Sequence, residues 1–372
     1  MNYQNNLLSQ TINILRFPLT VCVIFIHFNL KSSPLLIKGK EIVSIDSDFL
    51  EYIIFLFSEI IPSIAVPLFF FISGFLFFYG KEFNLNLYKS KLRKRVHSLF
   101  IPYIIWNLIA LCLQIIKQIL GASSITKLNI SYQSIINTFW NANHLGIFPT
   151  LDINDSTWIL PQDQPLWYIR DLMIVILVAP IIHWLLKRIR IFIIILFLLI
   201  WFITEKNMGH YEQLSYAFTF FSIGAFCAIH KIDFVRFFRH FRIIPFLYAI
   251  YVLTVFLIRE YPFYHYIYKA GIVLGVISAI TIVSKFAKHY KNLPHQMLTD
   301  STFFIYALHM LIIGGVAKLV LIGISNIIEI NQLLICFFYF IIPIAIIIIC
   351  FYLYKFLHTY FPNICRLLTG GR

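Results

Sequence analysis

The chain has 372 residues, of which 60% are hydrophobic and only 12% charged, with a formal net charge of +14. A soluble domain of that composition would expose large apolar patches, so a water-soluble globule is excluded and most of the chain is expected to face lipid. The surplus Lys and Arg are scattered over short connections rather than gathered into one folded patch, which argues against nucleic acid as a partner and for anionic lipid and membrane topology.

A hydrocarbon layer of roughly 30 Å takes about 20 apolar residues per helix. Long unbroken runs such as Ile344 to Phe351 favour helices over barrel strands, which would alternate residue by residue. The expected fold class is all-α, a polytopic bundle of about ten transmembrane helices. The expected spans run from about 9–30, 57–79, 99–120, 165–186, 190–204, 213–230, 243–259, 266–284, 302–324 and 332–357. With both termini on the cytoplasmic side, 20 of the 30 basic residues fall in inner loops or at inner span ends, as the positive-inside rule requires. The chain reads as a single domain, 1–372, in the cell inner membrane. No small-residue cleavage site follows the first run, which therefore reads as a retained anchor.

The first span carries Arg16 and His27, eleven residues apart. Eleven helical steps of about 100° end roughly 20° past three turns, so both side chains project from one face, roughly 16 Å apart along the axis. That is the reach of an extended cofactor with phosphates at Arg16 and a reactive end at His27. The alternative is an anchoring arginine plus a packed interfacial histidine. The loop after the second span holds Lys89, Lys91, Arg93, Lys94 and Arg95. The longest hydrophilic interval, 121–163, places Trp140, His144, Trp158, Asp152, Asp155 and Asp163 on the outer side. It either covers an outer cavity or is a passive loop.

The fourth span opens with Trp167, Tyr168, Arg170 and Asp171. Neighbouring side chains on a helix diverge by about 100°, so Arg170 and Asp171 are expected to address different partners rather than each other. A carboxylate reaching His27 would orient its ring and raise its basicity; the competing reading is a structural ion pair. Arg236, Arg239 and Arg242 crowd a later inner loop, and His309 sits a third of the way along the ninth span. A histidine in that position more often bonds a neighbouring helix than reacts. Glu59 and Lys318 receive no role. Cys22, Cys112, Cys227, Cys336 and Cys350 lie in spans and Cys365 follows them, with no disulfide framework and no metal-ligand spacing, so no metal is expected.

Taken together, several segments resemble the membrane acyltransferase-3 family. They are Arg16 and His27 in their Leu15-Arg16-Phe17 and Ile24 to Phe28 contexts, Phe70 to Leu76 with Ser73 and Gly74, Lys94 to Tyr103, Leu166 to Asp171, and Tyr306 to His309. The resemblance covers residues 11 to about 357. Many members carry an arginine where this chain has Ser98. The resemblance implies transfer of an acyl group, usually acetyl, from cytoplasmic acyl-CoA (acetyl-CoA) to a hydroxyl of an envelope or secreted carbohydrate or glycolipid. Arg16, Arg93 and Arg95 would then bind the donor, with Lys91 and Lys94 assisting. His27 would act as base with Asp171, Arg170 would stabilise the oxyanion, and Trp167, Tyr168 and His309 would line the acceptor. About 15 residues follow the last span, so the esterase-like domain fused to some relatives is not expected. Three other readings stand beside it: a transporter or flippase for an envelope glycan or its lipid carrier, an acyltransferase of the other multispanning type built around a membrane histidine, against which the Arg and His pair in the first helix argues, and a glycerolipid-type pairing of His295 with Asp300.

Overall fold

A computed structural model describes residues 3–30, 36–37, 40–41, 45, 47–120, 130–147, 158–205, 208–289, 296–325 and 331–371. Regular structure within them is helical, apart from one antiparallel pairing of Leu36–Ile37 with Lys40–Glu41. The main helices are α1 (Tyr3–His27), α2 (Asp48–Phe78), α3 (Leu85–Ile119), α4 (Trp167–Leu177), α5 (Ala179–Arg188), α6 (Ile191–Ile203), α7 (His210–Ile229), α8 (Ile244–Ile258), α9 (Tyr264–His289), α10 (Thr302–Ser325), α11 (Gln332–Tyr360) and α12 (Pro362–Thr369).

Six of them, α1, α2, α3, α9, α10 and α11, are long and apolar enough to cross a membrane. A seventh crossing results if α4 and α5, which meet at a 61° bend, count as one. The other expected spans are shorter or more polar. The helix α6 has 13 residues, α8 is also short, and α7 opens on His210, Glu212 and Gln213. The bend before α5 has a local cause: Pro180 donates no N–H, and its ring collides with the carbonyl four residues back.

The expected basic loop between the second and third spans is helix from Leu85 onward. Asn84 caps it by accepting the N–H of Leu87 at 2.8 Å. The run 85–101 has neither Gly nor Pro to stop it. A π-turn at Val96–Phe100 then makes room for Pro102, and a similar π-turn at Phe55–Ile60 adjoins Pro62 in α2.

Residue contacts group into two compact units, Met1–Ala65 with Phe234–Thr359, and Val66–Asp233 with Tyr360–Arg372. In the first unit α1 packs on α9, on α10 and on the opening half of α2. Its core joins Ile24, Phe28, Ile54, Ile305, Ile342 and Tyr339. The Tyr339 hydroxyl shares a 2.6 Å hydrogen bond with Ser58. In the second unit the closing half of α2 meets α7 backbone to backbone. A Cβ on Gly74 would lie 2.0 Å from the Phe221 carbonyl oxygen, and one on Gly224 equally close to that of Phe71. In lipid, where apolar burial does not drive helix association, such close approach is what holds helices together.

Candidate active site

Within the first unit, α1 ends at His27, and α10 carries His309. The two rings stand 5.3 Å apart between centroids, tilted by 49°. His309 is fully buried. Among the described residues it does not bond a neighbouring helix, which the sequence suggested; its Nδ1 lies 2.6 Å from the carbonyl of Tyr306, one turn back on its own helix. A carbonyl only accepts, so Nδ1 carries the hydrogen and Nε2 of the neutral ring is a bare lone pair. That Nε2 is buried without a hydrogen-bond partner among the described residues. An imidazole whose tautomer is set by its own backbone, beside a second imidazole, is a suitable arrangement for moving a proton.

Arg16 is half-buried on α1, and its carbonyl accepts the Thr20 hydroxyl. Two further ionisable groups lie in this unit: Glu59, for which the sequence suggests no role, and Lys269, which it does not single out. Glu59 accepts a hydrogen bond from Asn29, two residues past His27, at 3.1 Å. Lys269 on α9 is fully buried. The available signal was a charge inside an apolar run.

In the second unit Arg170 and Asp171 pair with each other, Nε to Oδ1 at 2.8 Å, which corrects the expectation that they diverge. The long guanidinium arm folds back across the 100° between neighbouring positions to reach the carboxylate. Its Nη1 donates to the carbonyls of Trp140 at 2.8 Å and Ile159 at 3.0 Å. Its Nη2 faces Gln213 Oε1 at 3.3 Å and His210 Nδ1 at 3.4 Å. The guanidinium also stacks on the Trp140 ring at 5.0 Å. Arg170 thus ties Trp140 and Ile159 to α4 and α7, and most of its donors are engaged there rather than held open for a developing oxyanion. Trp167 and Tyr168 are likewise packed rather than open. The Tyr168 hydroxyl shares a 3.0 Å hydrogen bond with Ser73, and Trp167 meets Trp158 edge-on at 5.5 Å.

Asp163 precedes this helix and is fully buried, with no partner for either carboxylate oxygen among the described residues. Its backbone N–H donates to Asn107 at 2.9 Å. Burial pushes its carboxyl well above the usual carboxylate range. The unfolded chain therefore releases this proton near pH 4, at about 3.9, and the folded chain only at higher pH. The stability contribution is complete below the unfolded value and is lost as pH rises through the folded one. The Asp163→Asn variant should flatten the fall in thermal midpoint from about pH 4 upward; an unchanged slope in a calorimetric pH series would contradict this.

The basic opening of α3 lines a cavity of about 460 Å³ formed by Ser90, Arg93, Lys94, His97, Ser98 and Gly370. Arg95 is half-buried outside that lining. Lys91, expected to assist it, is folded onto Phe77, donating to its carbonyl and lying 5.3 Å from its ring centre. No group of three or more His, Cys, Asp or Glu side chains among the described residues is arranged to hold a metal. His295, Asp152 and Asp155, and the side chain of His144, lie outside the described residues.

No curated protein and no solved structure matches the chain. Residues 10–354 match the acyltransferase-3 family, described as an acyltransferase domain. That stretch contains α1 with Arg16 and His27, the basic opening of α3, the Arg170–Asp171 pair and His309. A chain matched over nearly its whole length, carrying a histidine pair on membrane-spanning helices, is a multi-pass membrane protein that belongs to the membrane acyltransferase-3 family.

Proposed function

We propose that the protein transfers an acyl group, acetyl in the simplest case, from acyl-CoA to a hydroxyl of an envelope or secreted carbohydrate at the inner membrane. The observation that carries this reading is the His27–His309 pair, with the buried lone pair on His309 Nε2. His27 takes the proton of the acceptor hydroxyl as its oxygen adds to the thioester carbonyl. The C–O bond forms, the C–S bond breaks, and the imidazolium returns its proton to the departing thiolate. His309 Nε2 accepts the N–H of His27 as the pair tightens around substrate, which keeps the other His27 nitrogen free as the base. This gives His309 the orienting part first expected of Asp171, whose Oδ1 is held by Arg170. Arg170 and Asp171 then act as a structural pair within the second unit.

Two separate sets of cations are candidates for the donor's phosphates: Arg16 on α1 in the first unit, and Arg93, Arg95 and Lys94 at the opening of α3 in the second. Replacing Arg16 with Ala should weaken acyl-CoA binding about tenfold or more, the loss of one charge-assisted contact. Equal affinity in a titration of the two proteins would remove Arg16 from the phosphate site.

The test of the whole reading is mass spectrometry of envelope polysaccharide and lipid from cells with and without the gene. A sugar lighter by one acetyl group in the deletion supports it. The 61° break between α4 and α5 is the observation that favours transport, since carriers build their sites on discontinuous helices. An unmodified glycan accumulating on one side of the membrane would decide for that alternative.

A further inference from the structure

We infer that α12 and the glycine after it are a working part of the donor site, forming the wall that closes the basic pocket on the donor's phosphates. The inference rests on the acyl-transfer reading and extends it to residues beyond the stretch 10–354 matched by the family.

Three observations carry it. First, α12 is docked on α3 by specific contacts. The indole N–H of the fully buried Trp106 donates to the Leu368 carbonyl at 3.0 Å. Cys365, Leu368 and Thr369 are buried, while Arg366 on the same helix stays exposed. Second, Gly370 ends the helix in the left-handed region, at φ +70°, and touches the backbone of Ser98. A Cβ there would lie 2.6 Å from both Ser98 Cα and its carbonyl oxygen, so no other residue allows this approach. Third, that contact lies in the lining of the 460 Å³ cavity, whose other walls are Arg93, Lys94, His97, Ser90 and Ser98. Two cations, an imidazole, two hydroxyls and no carboxylate make a lining suited to a phosphate monoester or diphosphate. His97 has its Nδ1 on the Arg93 carbonyl at 3.1 Å, so Nδ1 is the donor in that contact and Nε2 remains available. The phosphate could be that of a nucleotide-bearing donor or of a lipid headgroup, and we assign it to the donor.

The experiment uses full-length protein in nanodiscs of neutral lipid, with adenosine 3′,5′-bisphosphate as the binding probe and acetyl-CoA as the kinetic donor. In Gly370→Val the bisphosphate should bind about tenfold more weakly and the donor KM should rise by a similar factor, with kcat unchanged. Trp106→Phe, which removes the N–H that holds Leu368 and keeps an aromatic ring in place, should give a smaller shift in the same direction. It serves as the second variant if Gly370→Val does not fold. Wild-type affinity and KM in a folded variant would overturn the inference. So would displacement of the bisphosphate by phosphatidylglycerol at low mole fraction, which would make the cavity a headgroup site. If the wild-type protein bound the bisphosphate through Gly370 but transferred no acyl group, the pocket would stand and the transferase reading would fall.

Discussion

Replacing His27 with Ala should lower acyl transfer by about a hundredfold to ten-thousandfold, the contribution of a positioned general base. Its membrane insertion and thermal midpoint should stay near wild type, since His27 is a half-buried side chain on the last residue of α1 rather than part of the sealed core. The companion variant is His309→Gln. Glutamine offers an amide oxygen that is a weaker and differently placed acceptor than the imidazole Nε2 that orients His27, so kcat should fall while donor KM stays constant, and the pH dependence of kcat/KM should shift. A purely structural His309 would lower the amount of folded protein and leave the pH profile of the remainder unchanged. Full acetyl transfer by His27→Ala would remove the pair from the chemistry.

The second large effect is structural. Gly74→Val should cost on the order of 3 kcal/mol or more, the upper range for forcing volume into a packed interface. The Cβ would lie 2.0 Å from the Phe221 carbonyl oxygen, and the obstacle is backbone, which cannot swing away as a side chain would. The crossing is reciprocal, because Gly224 makes the same approach to Phe71. Separating α2 from α7 would also disturb the Ser73–Tyr168 hydrogen bond next to it. The expected readout is loss of monodisperse protein in detergent and a lowered thermal midpoint, matched by Gly224→Val. A wild-type midpoint for either variant would mean that the two helices are not held at this distance. The same crossing gives a physical reason for Gly74 in the segment that resembles the family: the position requires the absence of a Cβ.

Boundaries were less legible than helices. The basic stretch 89–95 reads as a loop because its charges cannot lie in hydrocarbon, yet Lys and Arg are good helix formers, and Asn84 caps a helix that runs straight into the apolar part of α3. Composition reports the solvent around a segment, and helix formation depends on capping and propensity, so the two need not end at the same residue. The fourth span failed in the opposite sense: its apolar run is continuous through Pro180, while the backbone bends there by 61°.

Arg170 and Asp171 show where local geometry is insufficient. Their Cβ directions diverge as helix periodicity requires, but a guanidinium on a three-carbon stem is free to fold back. Its position is set by the Trp140 and Ile159 carbonyls and by Gln213, all distant in sequence. Those carbonyls need donors once buried, and arginine supplies several from one side chain.

Composition and local pattern alone determined that this chain lives in a membrane as helices and where most of those helices lie, and they give the expectation that Arg16 and His27 share one face of the first. These are properties of a segment and its solvent, and they repeat every 3.6 residues whatever the rest of the chain does. Which groups meet was decided only by tertiary packing: the imidazole of His309 beside that of His27, the ion pair within α4, and Gly370 against Ser98 at the basic pocket. Such encounters depend on side-chain rotamers and on how closely two backbones approach, and no periodicity within a single helix encodes either.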